Sequence, residues 1–494
     1  MKYRTTRTAG AARFSPADVI LRGLAPDGGL FMPNTIPALK AEDFLSFAAL
    51  PYPALAAKIL AMYFDCFSED DLRKDAEEAY GETHFPLRPL DVRIVEPRLF
   101  MLELWHGPTC AFKDMALQMM PRLLSRTLRD SHCKKLALIA TATSGDTGKA
   151  AMEGFRDVPG IKIKVYFPKD GVSRIQYLQM ATQRGSNVSV SGIDGNFDDA
   201  QSAVKAMFAD KEMAKVLKKE KAFLTSANSI NFARLAPQIV YYVYAYARML
   251  RAGAVLPGEK VDVVVPSGNF GDIFSAYLAK RMGIPFGRLV VASNKNKVLA
   301  DFFETGVYDC NRPFYHTTSP SMDILRSSNL ERLLFMKAGP KATAQWMEDL
   351  KRTGRFCVPA AVLSDLQSEF CGIWVDEDEV GETIRSAFQS DRYLIDPHTA
   401  VGVAAFRKYS GRPGASRRIL VASTASPFKF PRDVLTAIAG EAPDDDMEAL
   451  RQLEKVSGLV APSSLRSLAD QPLRFTRSIG RTEMTEDIRR FLCE

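Results

Sequence analysis

The chain has 494 residues, 46% hydrophobic and 25% charged, an ordinary globular composition with length for about two to four structural units. Its net charge of +7 is mild, with Lys and Arg scattered among acidic residues, so nucleic acid is not the default partner and an anionic small molecule fits equally well. No run reaches membrane-spanning length and Met1-Lys2-Tyr3-Arg4-Thr5 carries no apolar signal core; the seven cysteines, widely spaced and without a CxxC pair, read as reduced cytosolic thiols rather than disulfides or a thiolate zinc site.

Residues 1–92 mix polar turns such as Ala25-Pro26-Asp27-Gly28-Gly29 with amphipathic helices, for example Leu55 to Phe64 and Glu69 to Tyr80. They read as a small, mainly helical lobe. Two alternating runs between Val92 and Leu104 flank Pro97-Arg98 and predict a hairpin. It leads into His106-Gly107-Pro108-Thr109-Cys110-Ala111-Phe112-Lys113-Asp114-Met115, where an amphipathic helical run starts near Phe112 and continues through Ala116, Leu117, Met120 and Leu123. From here the pattern becomes strand, glycine-bearing turn, helix. Leu136 to Ala140 precedes the turn at 143–148 and a helix from Lys149 to Phe155. Ile161 to Phe167 precedes a helix from Ser173 to Gln183, and Val188 to Ile193 precedes one from Asn196 to Ala209. Val261 to Val265 precedes a turn at 267–272 and a helix from Ile273 to Met282, while Leu289 to Ser293 and Arg418 to Ala422 are further strands. Short apolar strands separated by helices predict an α/β region over 93–442, with open, mostly parallel sheets flanked by helices. Residues 330–385 show helical pattern and an acidic cluster, Asp376 to Glu379, but no strand of comparable apolarity. They read as a helical insertion, and 443–494 as a charged helical appendage.

Lys113 stands in the first turn of its helix, where the dipole disfavours a cation. A solvated surface lysine is the bland reading. Against it, Phe112 and Met115 flank Lys113 in an apolar context that lowers an amine's pKa from about 10.4 and makes a neutral nucleophile accessible, as for a Schiff base with an aldehyde cofactor. The loop Ser267-Gly268-Asn269-Phe270-Gly271-Asp272 follows the most β-branched strand and opens a helix, so backbone N–H groups and the dipole converge on a phosphate-sized anion. A tight turn without ligand is the weaker alternative. Thr143-Ser144-Gly145-Asp146-Thr147-Gly148-Lys149 lacks P-loop spacing, since two residues rather than four separate its glycines and Ala150 replaces the magnesium-binding hydroxyl. It remains a cradle for a carboxylate, with plain N-capping by Ser144 or Thr147 as competitor. Ser423-Thr424-Ala425-Ser426-Pro427 brings hydroxyls to the carboxyl edge of the sheet. Asp376 to Glu379 lacks calcium-loop spacing and reads as a solvated face. The five histidines show no ligand spacing, so no metal is assigned, and His106 and His398 default to structural roles.

The ordered set HGPT-x-AFKD, TATSGDTG, SANSIN-x-AR, PSGNFGD and STA-x-P-x-KF resembles the threonine synthases, pyridoxal-phosphate enzymes of the fold-type II, tryptophan synthase β-like group. Met1-Lys2-Tyr3, the segment Leu24 to Leu30 and Asp396-Pro397-His398-Thr399-Ala400 look like the longer branch of that family, and the likeness spans nearly the whole chain. It implies that Lys113 is the Schiff-base lysine that also moves protons at the substrate's Cα and Cβ. It implies that Gly268, Asn269, Phe270 and Asp272 hold the cofactor phosphate. Thr424 then stands near the pyridine nitrogen, and Asp146 borders the phenolic oxygen where shorter relatives carry asparagine. Thr143, Ser144 and Thr147 resemble the grip on the substrate carboxylate, and Ser229 and Arg234 the groups that bind its phosphate.

The implied reaction is γ-elimination and β-addition, turning O-phospho-L-homoserine and water into L-threonine and phosphate, in the cytoplasm, with neither nucleic acid nor membrane as partner. Monomer and homodimer both stay open. Ser426 stands where the long-branch motif STAHP has histidine, and Phe428 where alanine is usual. These departures keep open a threonine synthase-like phospholyase that releases a 2-oxo acid. A cofactor-free scaffold is disfavoured by the intact Lys113 and both glycine loops.

Overall fold

The computed structural model describes residues 1–10, 13–143, 145–169, 172–195, 200, 203, 204, 206, 207 and 210–493. In chain order its strands are β1 (Tyr3–Thr5), β2 (Phe31–Pro33), β3 (Asp91–Glu96), β4 (Leu99–Glu103), β5 (Leu136–Ala142), β6 (Ile161–Pro168), β7 (Val188–Ile193) and β8 (Ala222–Thr225). They continue with β9 (Val261–Pro266), β10 (Phe286–Ser293), β11 (Val307–Asp309), β12 (Arg355–Cys357), β13 (Phe370–Trp374), β14 (Arg418–Ser423) and β15 (Ser478–Ile479).

Two sheets organise the molecule. The first has the order β13-β10-β9-β14-β4-β3 and the second β15-β7-β6-β5-β8. Every pairing in them is parallel except the β3–β4 hairpin at one edge. The central strand β9 is buried at all six positions, the signature of a strand covered on both faces. Its one acid, Asp262, is tolerated because Arg288 N–H, Ser416 N–H and the Tyr409 hydroxyl all donate to its carboxylate. Among the described residues, no helix is long and apolar enough to cross a membrane.

The N-terminal region is helical apart from the antiparallel β1–β2 pair. Its helix Glu69–Tyr80 follows the expected bounds because Ser68 accepts from Asp71 N–H and three acids occupy the first turn. This region shares a core with the long helix Phe232–Arg251: Tyr3 packs edge-on against Phe232, and its hydroxyl donates to the Tyr63 carbonyl.

Three expectations need correction. The helical run from Phe112 is two helices, Lys113–Leu117 and Met120–Asp130. Pro121 has no N–H, and its ring would meet the carbonyl four residues back, which is that of Leu117. Residues 330–385 do contain an edge strand of the first sheet, for β13 pairs in parallel with β10. Its five residues carry Gly372 at the centre, because a Cβ there would lie 2.6 Å from the Ala300 carbonyl oxygen, and that glycine breaks the apolar run. The acidic cluster is a helix start rather than a plain solvated face: Asp376 and Glu379 form a reciprocal capping box, and Glu379 pairs with Lys408. The helix expected from Asn196 to Ala209 lies largely outside the described residues.

Candidate active site

Five strands deliver their carboxyl ends to one cavity, three from the first sheet (β4, β9, β14) and two from the second (β5, β8). Its walls include Lys113, Thr143, Asp146, Thr147, Ser229, Arg234, the whole loop 267–272, Ser321, His398 and Thr424. This is where open α/β sheets place ligands, since loops from several strands converge there with free backbone groups.

The segment bearing Lys113 is locked in place before its helix begins. Asp114 accepts from the Thr109 N–H at 2.8 Å and from its hydroxyl at 2.7 Å. Gly107 is required for that fold-back, because a Cβ there would meet the Asp114 side chain at 2.6 Å. Across the gap, Phe112 N–H donates to the Thr424 carbonyl and Ser426 N–H to the Cys110 carbonyl, zipping the lysine loop to the segment after β14.

Lys113 is buried, with Nζ 3.2 Å from Asp146 Oδ2 and 3.2 Å from the Ser321 hydroxyl. Burial lowers its pKa, with Lys429 and Arg234 pushing the same way and Asp146 opposing. Asp146 is tied on both oxygens: Lys429 Nζ lies 2.8 Å from Oδ1, where Gln176 also donates, and Ser321 donates to Oδ2. Burial alone would raise this carboxyl, but Lys429, Lys113 and His398 hold it well below the usual range. His398 accepts from Ser321 N–H through Nε2 and faces Asp396 through Nδ1. His106 instead pairs with Glu103 outside the cavity wall.

Opposite Lys113, Phe270 takes a left-handed conformation at φ 62° and caps the helix Gly271–Arg281. Stacking on Phe303 and a tilted contact with Phe370 hold it there. Gly268 has no room for a side chain, because a Cβ would lie 2.8 Å from the Ser321 carbonyl oxygen. Asp272 accepts from the Tyr241 and Tyr242 hydroxyls on Oδ1, while Oδ2 is buried without a partner. Burial pushes its carboxyl up to about 6. The Thr424 hydroxyl makes no hydrogen bond among the described residues.

Arg234 is buried beneath the cavity, donating to the Ala227 carbonyl, with Nε unpartnered and no carboxylate at salt-bridge distance among the described residues. Burial brings its guanidinium down to about 10, still a cation at neutral pH. Ser229 accepts from the Asn329 amide beside it. The Thr143 hydroxyl accepts from the Gly145 and Gly148 N–H groups at the start of the helix Asp146–Phe155, which leaves its own O–H to donate. Ser144 lies outside the described residues. Lys429 and Ser321 were not singled out from sequence. Lys429 stood inside a quoted motif, whereas Ser321 lies in a loop with no motif at all.

A family model described as threonine synthase N terminus matches residues 2–80, one described as pyridoxal-phosphate dependent enzyme matches 77–425, and one described as threonine synthase, C-terminal, matches 399–484. The threonine synthase of Pseudomonas aeruginosa is 41% identical over 448 residues, covering 90% of this chain and 92% of that protein. The chain belongs to the threonine synthase family. The threonine synthase of Saccharomyces cerevisiae is 36% identical over 467 residues, 89% of each chain. Among solved structures, pyridoxal-phosphate-bound threonine synthase from Brucella melitensis matches with TM-score 0.88 and 36% identity over both full chains. The yeast threonine synthase structure matches with TM-score 0.89 and 32% identity, over 100% of this chain and 99% of that one.

This member of the threonine synthase family is a lyase of fold type II whose cofactor is pyridoxal phosphate. The residues present fit that group. A buried amine faces a phosphate-sized cradle in which Gly268 excludes a side chain, and Asp272 Oδ2 at its edge is buried without a partner among the described residues.

Proposed function

We propose that this chain converts O-phospho-L-homoserine and water to L-threonine and phosphate in the cytosol, with Lys113 as the attachment point of the cofactor. One observation carries the reading: a single cavity holds a buried lysine amine, a glycine-built anion loop and a second anion site at a buried, unpaired guanidinium. Two anion sites flanking one amine match a cofactor phosphate on one side and a substrate phosphate on the other. The seven free thiols support the cytosolic assignment.

When bound, pyridoxal phosphate supplies an electron sink that stabilises negative charge on the substrate carbons. Gly268, Asn269, Phe270 and Asp272 would hold its phosphate, Asp146 would border its phenolic oxygen, and the neutral hydroxyl of Thr424 would stand near the ring nitrogen without enforcing a positive charge there. Thr143, Ser144 and Thr147 orient the substrate carboxylate. Lys113 moves protons at Cα and then Cβ, one base between adjacent carbons. Arg234 and Ser229 take the departing γ-phosphate, for which a guanidinium with free donors is suited. Water then adds at Cβ, and the enclosing walls keep it out until the phosphate has left.

Ser426 supports a second reading. Its hydroxyl is buried without a partner among the described residues, next to the cavity-lining Ala425 and where the long-branch motif carries histidine. A phospholyase would stop after elimination and release a 2-oxo acid. Incubation with O-phosphohomoserine decides between them: threonine and phosphate in equal amounts are expected, and 2-oxobutyrate without threonine would overturn the proposal. Lys113→Ala should reduce turnover by roughly 10³-fold or more.

A further inference from the structure

Lys429 lies behind the cavity wall, with a side chain 0% exposed, and no step of the reaction above uses it. It rises from the short 3₁₀ turn Pro427–Lys429 after β14 and reaches the Thr109 carbonyl at 2.9 Å and Asp146 Oδ1 at 2.8 Å. Lys113 reaches the other oxygen of the same carboxylate at 3.2 Å. One carboxylate thus lies between two lysines, one on each oxygen. Two further groups bear on the balance: Arg234 adds a buried cation that acts on Lys113, and Asp114, held by the Thr109 N–H and hydroxyl, adds an acid on which Lys429 acts. Arg234 has no carboxylate partner, Asp272 is held by two tyrosines, His398 faces Asp396, and Asp323 is engaged by Asn294, Asn296 and Thr317.

The charge balance of this triad favours one protonation pattern. With Lys113 neutral, Lys429 and Asp146 cancel; with Lys113 protonated, an extra positive charge sits in a buried cavity. Had Asp146 only Lys113 as partner, the carboxylate would fix that amine as an ammonium, which has no lone pair for attack. We propose that Lys429 is a positioning residue that holds Asp146 as a compensated anion and thereby frees Lys113 to stand as a neutral amine.

The inference concerns the amine itself and holds whichever product the enzyme releases, so its failure and that of the proposed reaction are separable. The test is competitive acetylation of the full-length, cofactor-free protein with acetic anhydride between about pH 6 and 10, reading the Lys113 peptide by mass spectrometry. Lys429→Met should raise the Lys113 titration midpoint by about one pH unit or more, a roughly tenfold loss of neutral amine at pH values below it. Asp146→Asn should lower the midpoint, and the double variant should return near the wild-type value. An unchanged or lowered midpoint in Lys429→Met overturns the proposal. If Lys429→Met does not fold, Asp146→Asn and the double variant decide the matter. A higher midpoint in the double variant supports compensation, and equal midpoints reduce Lys429 to a structural residue.

Discussion

At the residue scale, Asp272 has a measurable consequence beyond any reaction. Burial raises its folded-state value from 3.8 to about 6, so its contribution to stability is complete below the ordinary value and is lost as pH rises through about 6. In cofactor-free protein, Asp272→Asn should remove that loss. Denaturant unfolding should show the variant gaining on wild type between acid pH and pH 8 by up to about 3 kcal/mol, and parallel pH profiles would refute the assignment. Lys113 and Gly268 stand out in the sequence for local reasons, a cation at a helix start and glycines after a β-branched strand, whereas Arg234 enters only through the family resemblance. Ser321 carries no such signal. Its partners, Lys113 and Asp146, come from chain segments far before it, and only folding brings them together.

At the scale of elements, the closest contact near the site joins two helices. Pro121 ends the helix Lys113–Leu117, and the Leu117 carbonyl then points at Gly154 of the helix Asp146–Phe155, where any Cβ would overlap it. Gly154→Ala should force these helices apart, separate Lys113 from Asp146, and cost about 2 kcal/mol or more in urea unfolding. A cost near zero would mean that the contact relaxes freely. Helix ends set by local chemistry, such as Ser68 before Glu69–Tyr80, were readable directly. β13 was not, because an edge strand needs few apolar residues and its glycine answers to Ala300, a neighbour brought near by the fold.

At the scale of the whole molecule, loops from both sheets meet at the cavity, so a bound cofactor ties the sheets together. Reconstitution with pyridoxal phosphate at about a hundredfold excess over its Kd should stabilise the fold by about 2.7 kcal/mol, read as a shift of the unfolding transition. No shift would argue against a site shared between the sheets. The sequence by itself determined the alternation of buried strands and helices, the glycine loop before Gly271–Arg281 and the place of Lys113 at a helix start, because periodicity, capping and glycine freedom act over a few neighbouring residues. Tertiary structure alone decided that Asp146 is shared by Lys113 and Lys429, that the Thr143 hydroxyl accepts two N–H groups at a helix start, and that Arg234 is buried without a counter-ion among the described residues. Burial and charge pairing depend on which distant segments become neighbours, and the chain order of residues does not state that.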